Sequence, residues 1–390
     1  MIRRPALGAI VAAAMTVMIV AACGGDGVSS SGDRRRTVTI GFQGVLSGDD
    51  EQLGVNALYG VRTAIEEINA DASLPFRVEL VSSDDGGSPE RAPAAARRLI
   101  DDSDAVAVIG PMLSDATEAS EPFYSEAGLL SVSPSATAPA LTDLGFTTFY
   151  RVVAPDSVQG RAAADYISTV LDAGKVYSVD DRSEYGIGLS TALEAELFSD
   201  GVDVVHGGVD PARDYTREAA EIIAEAPDVL FYSGQYADFA LLNKALEDGG
   251  FTGTVMGGDA TRDPDFVTRT GAAAAEGAYF SCACSDVDTD PAAKEFVASY
   301  KDVNGGALPG TYSGEAYDAT WAVVDVLKRL GNNISRESVA RAFRTVSWDG
   351  LTRKIEFEEN GELKRSTVYL YKVQDGEITD LGRISDLIGS

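Results

Sequence analysis

The sequence predicts an α/β fold of two lobes, each a parallel sheet with helices on both faces, and a cleft between them. Three observations carry this. Short apolar runs alternate with stretches of helical period along most of the chain. The rhythm loosens once, over residues 151–157, where Val153-Ala154-Pro155 breaks the pattern before a second set of strand–helix units begins. The chain has 390 residues, a length that suits two medium domains. Its hydrophobic fraction, 45%, is normal for a globular core.

The apolar runs are 38–42, 76–81, 105–109, 129–132, 175–179, 203–206, 228–232 and 254–256, with 278–281 later. Between them, 52–69, 90–101, 115–126, 158–171, 184–198, 215–224 and 238–248 read as helices. In 52–69, Leu58, Val61, Ile65 and Ile68 recur at helical spacing. Ser88-Pro89-Glu90 predicts an N-cap followed by proline at the first helical position. Helices 292–300 and 316–330 follow, and 368–373 closes the chain as an alternating, edge-like strand. Strands joined by helices run parallel and are covered on both faces. No repeat suggests a solenoid, and no apolar span after the N-terminal segment is long enough to cross a membrane.

The N-terminal segment reads separately. Arg3 and Arg4 precede an apolar stretch of 15 residues, Ala6 to Val20, short for a mature spanning helix. Val20-Ala21-Ala22-Cys23 follows. This order resembles a bacterial lipoprotein signal, in which small residues enter a narrow protease site and the cysteine is diacylated. The resemblance implies a signal over 1–22 and attachment to the membrane through lipid on Cys23. It places the protein on the outer face of the bacterial cytoplasmic membrane. An ordinary secretory signal with a chance cysteine is the alternative. Residues 23–36 read as a flexible tether, Gly- and Ser-rich up to a solvated run, Arg34-Arg35-Arg36.

Formal charge is -29, or -31 over the 368 residues left once 1–22, with Arg3 and Arg4, are removed. Such a surface repels nucleic acid, anionic headgroups and large anionic substrates, and leaves small zwitterions or neutral solutes. Apart from Cys23 the cysteines are Cys282 and Cys284. Outside the cytoplasm a local disulfide is expected, with two partly buried free thiols as the alternative. Two thiols without clustered histidines make a poor zinc site, and no metal or cofactor is expected. The one histidine, His206, reads as a strand-end surface residue without a triad. No Gly-x-Ser-x-Gly, P-loop or His-Glu-x-x-His occurs, so no enzyme is expected.

In open parallel sheets, loops at the carboxyl ends of strands face the ligand crevice. Here those loops are Gly110-Pro111-Met112-Leu113-Ser114, Ser133-Pro134-Ser135-Ala136-Thr137, Ser233-Gly234-Gln235-Tyr236 and Gly257-Gly258-Asp259. Ser114 sits at the start of a helix, where its hydroxyl and free N–H groups form an anion site. Thr137 adds a hydroxyl and an N–H, and Asp259 can face an ammonium. Each residue alone reads as a cap or turn; together they suit the two poles of a zwitterionic amino acid. Asp84-Asp85 reads as a strand-end turn rather than a metal site.

At these residues the chain resembles the leucine/isoleucine/valine-binding family of type I periplasmic binding proteins, over nearly all of the mature domain. The matching stretches include Val45-Leu46-Ser47-Gly48, Val108-Ile109-Gly110, residues 129–137, Arg151, Tyr185-Gly186-Ile187-Gly188, Phe231-Tyr232-Ser233-Gly234 and Glu315-Ala316-Tyr317-Asp318-Ala319. The resemblance implies that Ser114 and Thr137 hold a ligand carboxylate. The Ser135 carbonyl and Thr137 would accept from its ammonium, Asp259 would pair with that ammonium, and Tyr185 and Tyr317 would line the cleft. It implies a hinge of three crossovers near 154–157, 281–285 and 357–361. Lobe 1 is then 37–154 plus 284–356, and lobe 2 is 155–283 plus 357–390. The Cys282–Cys284 pair falls in the second crossover.

Some positions depart from the family. Leu53 replaces an aromatic, Gln235 replaces a tyrosine, and Asp259 is a methylene shorter than the usual glutamate. Gly87 and Leu113 stand where some members carry a disulfide. A glutamine in the pocket invites a polar or amide ligand, and a solvated loop residue is the alternative. The resemblance implies a monomeric, lipid-anchored binding protein without cofactor that closes around an amino acid or amino-acid-like solute. Its partners would be the permease subunits of an ABC importer. A ligand sensor of the same fold is the alternative, and an extracytoplasmic hydrolase fits less well because His206 has no triad.

Overall fold

Residues 105–109, Ala-Val-Ala-Val-Ile, are buried at all five positions, which a strand achieves only when helices cover both faces of its sheet. They form the centre of the first lobe in the computed structural model, which describes residues 35–389. The signal over 1–22, Cys23 and most of the tether lie outside the described residues.

The chain first lays down β1 (Arg36–Gly44), α1 (Glu51–Ala70), β2 (Phe76–Asp84), α2 (Ala92–Ile100), β3 (Ala105–Ile109), α3 (Ser114–Ala127), β4 (Leu130–Ser133) and β5 (Phe149–Arg151). These strands form one parallel sheet in the order β2-β1-β3-β4-β5. The chain then builds α4 (Asp156–Thr169), β6 (Lys175–Asp180), α5 (Glu184–Ser199), β7 (Asp203–Gly208), α6 (Thr216–Glu225), β8 (Val229–Ser233), α7 (Tyr236–Asp248), β9 (Thr254–Gly257), α8 (Pro264–Thr270), α9 (Ala272–Ala275) and β10 (Tyr279–Cys282). It returns to the first lobe for α10 (Lys294–Val303), α11 (Ser313–Leu330), α12 (Arg336–Phe343) and the short pair β11 (Trp348–Asp349) and β12 (Lys354–Ile355). It ends in the second lobe with β13 (Tyr369–Gln374), β14 (Glu377–Arg383) and α13 (Ile384–Ile388). The second sheet runs β14-β13-β10-β9-β8-β6-β7, parallel except where β13 and β14 add antiparallel. Among the described residues, no helix is long and apolar enough to cross a membrane.

Local chemistry explains the elements. On α1, Leu53, Ala57, Val61, Ala64, Ile65 and Ile68 are buried along one stripe. The edge strand β2 instead alternates buried and exposed positions over its first half. Asp84 and Asp85 form the expected strand-end turn, accepting from the Gly86 and Gly87 amides at 2.8 and 2.9 Å.

Several details differ from expectation. α2 starts at Ala92, because Ser88 closes a separate turn whose carbonyl accepts from the Arg91 amide at 3.1 Å. β13 is interior, and β14, whose pattern carried little apolar signal, takes the edge. Strand β5 is only three residues long, too short to show a period. Helix α12 was hidden by polar composition; the Ser335–Ser338 capping box starts it. Arg35 and Arg36, expected in the tether, are tied to the fold. Their guanidiniums donate to the Asp71 carbonyl (3.0 Å) and the Ile334 carbonyl (3.2 Å).

The chain crosses between sheets after β5 and after β10. Cys282, at the end of β10, is disulfide-bonded to Cys284 in that second crossing, and both are fully buried. The third crossing comes later than residues 357–361. Phe357 packs on Tyr150 and Phe343, with centroids 4.8 and 5.5 Å away. The Gly361 carbonyl accepts from the Arg151 amide, and Glu362 pairs with the buried Arg151 guanidinium at 2.6 Å. Apolar burial and the need to neutralise Arg151 hold this stretch on lobe 1, so the crossing falls between Leu363 and β13.

Candidate functional site

The carboxyl ends of β3 and β4 are tied together before they reach any ligand. The Ser133 hydroxyl donates to the Pro111 carbonyl at 2.6 Å, and the Ser135 hydroxyl to the Met112 carbonyl at 2.7 Å. Ser135 therefore spends its side chain on the loop, and what it can offer a solute is main chain. Ser114 opens α3, and its buried hydroxyl accepts from the Ala138 amide at 3.2 Å. Arg151 braces the same loop by donating to the Ala136 and Ala138 carbonyls at 3.3 and 2.7 Å.

Thr137 links this wall to the second lobe. Its carbonyl accepts from the Asp156 amide at 2.9 Å, at the start of α4. Neither the Thr137 hydroxyl nor either Asp156 carboxyl oxygen has a hydrogen-bond partner of good geometry, although both residues are fully buried. Burial, and then the charge of Asp259, push the Asp156 carboxyl well above the usual range.

Asp259 follows β9 and is fully buried. One carboxyl oxygen accepts from Gln159 Nε2 and from the Tyr185 hydroxyl, each at 2.8 Å. The other accepts from the Tyr312 hydroxyl at 2.5 Å. Burial raises its pKa, opposed by the hydrogen bonds from Tyr312, Tyr185 and Gln159. The three donors favour the charged form of Asp259, and burial beside that acid favours the neutral form of Asp156.

Tyr312 reaches Asp259 from lobe 1. It is the N-cap residue of α11 in the left-handed region, at φ 68°. Gly258 lies under the same cluster, where an added Cβ would sit 2.4 Å from the Tyr185 hydroxyl.

The structure thus brings Ser114, Ser135, Thr137, Tyr185 and Asp259 to one place between the lobes. Tyr317 does not join them. It lies five residues past Tyr312, about 140° further round the helix, and its hydroxyl donates to Glu67 at 2.6 Å. Its ring packs on Phe296 at 4.8 Å, on the outer side of α11. Leu53 is buried in the core in the first turn of α1. Gln235 is the N-cap residue of α7, and its Oε1 is buried without a partner. Gly87 and Leu113 are neighbours, since an added Cβ at Gly87 would lie 2.8 Å from Leu113 Cδ1. His206, on edge strand β7, pairs with Glu194 and Asp180 at 2.7 and 3.3 Å.

Sequence reasoning missed Asp156, Gln159 and Tyr312. An acid directly after Pro155 at a helix start was a signal for Asp156. Nothing local marks Tyr312, which depends on a positive φ. Among the described residues, no group of three or more His, Cys, Asp or Glu side chains could hold a metal ion.

A family model described as "Periplasmic binding protein" matches residues 37–377. An "Amino acid binding protein" of Pseudomonas aeruginosa is 28% identical over 341 residues, covering 87% of this chain and 90% of that protein. A "Leu/Ile/Val-binding protein BraC3" of Rhizobium johnstonii is 30% identical over 350 residues, covering 87% and 93%. The solved leucine binding protein LivK of Thermotoga maritima superposes with a TM-score of 0.81 at 28% identity, covering 89% of this chain and 98% of that one. The substrate-binding protein LivJ of Streptococcus pneumoniae, solved with isoleucine, gives 0.81 at 25% identity, covering 88% and 98%.

Proposed function

This chain belongs to the periplasmic binding protein family, and on that footing we propose that it captures a small amino acid outside the cytoplasm for an ABC importer. The arrangement that carries the reading is the pairing of Asp259 with the Ser114–Thr137 wall. An acid that accepts from three donors stands across a seam from hydroxyls and helix-terminal amides. The ammonium of a zwitterion meets Asp259 and the Ser135 carbonyl. Its carboxylate meets Ser114, Thr137 and the N-terminus of α3. The solute touches Asp259 of one lobe and the Ser114–Thr137 wall of the other together only when the lobes are shut, so it stabilises closure through its differential affinity for that state.

The relatives named for leucine, isoleucine and valine binding support an amino-acid ligand. No nucleophile–base pair is needed for capture, and the protein acts as a carrier rather than an enzyme. Lipid on Cys23 anchors it to the outer face of the membrane, where it works as a monomer beside its permease. Mass spectrometry of the mature N-terminus tests the anchor, and an unmodified Cys23 would rule it out.

A thermal-shift screen against the common amino acids tests capture. A solute at a hundredfold its dissociation constant adds about 2.7 kcal/mol to stability. No shift with any amino acid would count decisively against this function.

A further inference from the structure

The second crossing between the lobes is completed within Cys282–Ser285. Cys282 is the last residue of β10 and pairs with Tyr369 of β13, in lobe 2. The Ser285 amide already donates to Glu315 of α11, in lobe 1, at 2.9 Å. Val287 then packs in lobe 1 with Phe296 and Tyr300 of α10. The Cys282–Cys284 disulfide closes a ring over this crossing, and the Cys284 amide donates to Cys282 Sγ at 3.2 Å. Each lobe holds one carbonyl of the ring. Arg353, in the turn between β11 and β12, donates to the Ala283 carbonyl at 2.8 Å. The Tyr371 hydroxyl of β13 donates to the Cys284 carbonyl at 3.1 Å. Arg353 also pairs with Glu315 at 2.9 Å, and the two side chains are 9% and 0% exposed.

Both ends of the ring lead to Asp259. On the lobe 2 side, the Ser281 carbonyl accepts at 3.3 Å from Gln159 Nε2, the nitrogen that also donates to Asp259. On the lobe 1 side, Glu315 lies in the first turn of α11, whose N-cap residue Tyr312 donates to Asp259. The third cysteine of the chain is Cys23, so the crossings after β5 and after Leu363 carry no such link.

We propose that the Cys282–Cys284 disulfide is a positioning brace, which fixes the pivot of the second crossing, limits how far the lobes open and keeps Gln159 and Tyr312 on Asp259. This goes beyond solute capture and holds whichever solute is bound. Lobe opening is absorbed by changes of φ and ψ in the crossings. A ring closed over residues 282–284 has few such angles free, so the bend falls to the other two crossings. Opening separates Tyr312 from Asp259. Cross-links act on the more disordered of two states, so cutting this one adds conformations to the open form and few to the closed. The balance then moves toward wider opening, and a solute that selects the closed form binds more weakly.

The test is X-ray scattering from the mature chain without solute, in oxidised form and with the link cut in two ways. One is the Cys282→Ala/Cys284→Ala variant. The other is the intact chain reduced with dithiothreitol, whose two thiols become a cyclic disulfide as the pair becomes two cysteine thiols. Thiol counting checks the reduction, and far-UV circular dichroism checks the fold. Both cut forms should show a radius of gyration at least about 0.5 Å above the oxidised chain, against about 21 Å for a compact chain of this length. Reoxidation of the reduced chain should restore the smaller radius. Equal radii in oxidised and cut forms would overturn the brace, as would a reduced form that stays wide after reoxidation. Loss of fold in both cut forms would overturn it too, because the pair would then hold the fold rather than the opening.

Discussion

Asp259 is buried and accepts three hydrogen bonds, and that combination decides how it responds to substitution. Removing the side chain strands three buried donors, each costing about 1–3 kcal/mol, so Asp259→Ala confounds folding with binding. Asp259→Asn keeps the shape and removes the charge. We expect it to weaken amino-acid binding about 100-fold, equal to about 2.7 kcal/mol, while the unliganded melting temperature stays within a few degrees. Calorimetry reads the first and a thermal scan the second; full affinity in this variant would remove the ammonium role. Arg151 acts at one remove. Its guanidinium is fully buried against Glu362 and the carbonyls flanking Thr137. Breaking such a pair strands the partner, and Arg151→Met should cost about 3 kcal/mol in urea unfolding.

At the scale of elements, the site depends on where strands stop and helices start. Ser114, Thr137 and Asp259 were legible because carboxyl ends of parallel strands face a crevice, and the ends of β3, β4 and β9 can be read from apolar runs. Tyr312 and Tyr317 show the limit. Both stand at the N-terminal end of α11, but one reversed φ turns Tyr312 inward while helical rotation carries Tyr317 to Glu67. Gly258 ties β9 to α5 by close approach. Gly258→Ala drives a Cβ against the Tyr185 hydroxyl, displacing it from Asp259, and should weaken binding at least about tenfold. Unchanged affinity in Gly258→Ala would mean that Tyr185 does not set the position of the acid.

The whole molecule closes on an acidic seam. Asp50 meets Ala237 of the other lobe and faces Asp238, Asp49 and Arg269. Asp263 meets Asn56 at 3.5 Å and faces Asp265 and Arg262. Burial pushes Asp50 up to about 7 and Asp263 to about 6. Opening the lobes exposes both carboxyls and returns them toward about 4. The closed form therefore holds more protons than the open one. Its stability relative to the open form falls as pH rises toward about 7 and is flat above that. Since solute selects the closed form, affinity should rise at least about tenfold from pH 8 to pH 6, a factor that Asp50 alone supplies and that exposure of Asp156 on opening would add to. Titrations at the two pH values check this, and affinity that is level or falls on acidification would contradict it.

The chain's order of apolar runs and helical periods was enough to determine two covered parallel sheets, because burial on both faces leaves its mark in local composition. The strand-end residues Ser114, Thr137 and Asp259 were visible for the same reason. Tertiary structure alone decided that Tyr312 and Gln159 hold Asp259, that Asp156 sits opposite it, and that residues 357–363 stay with Arg151. Those outcomes depend on pairings between segments far apart in the chain, and on one backbone angle, neither of which leaves a periodic trace along the sequence.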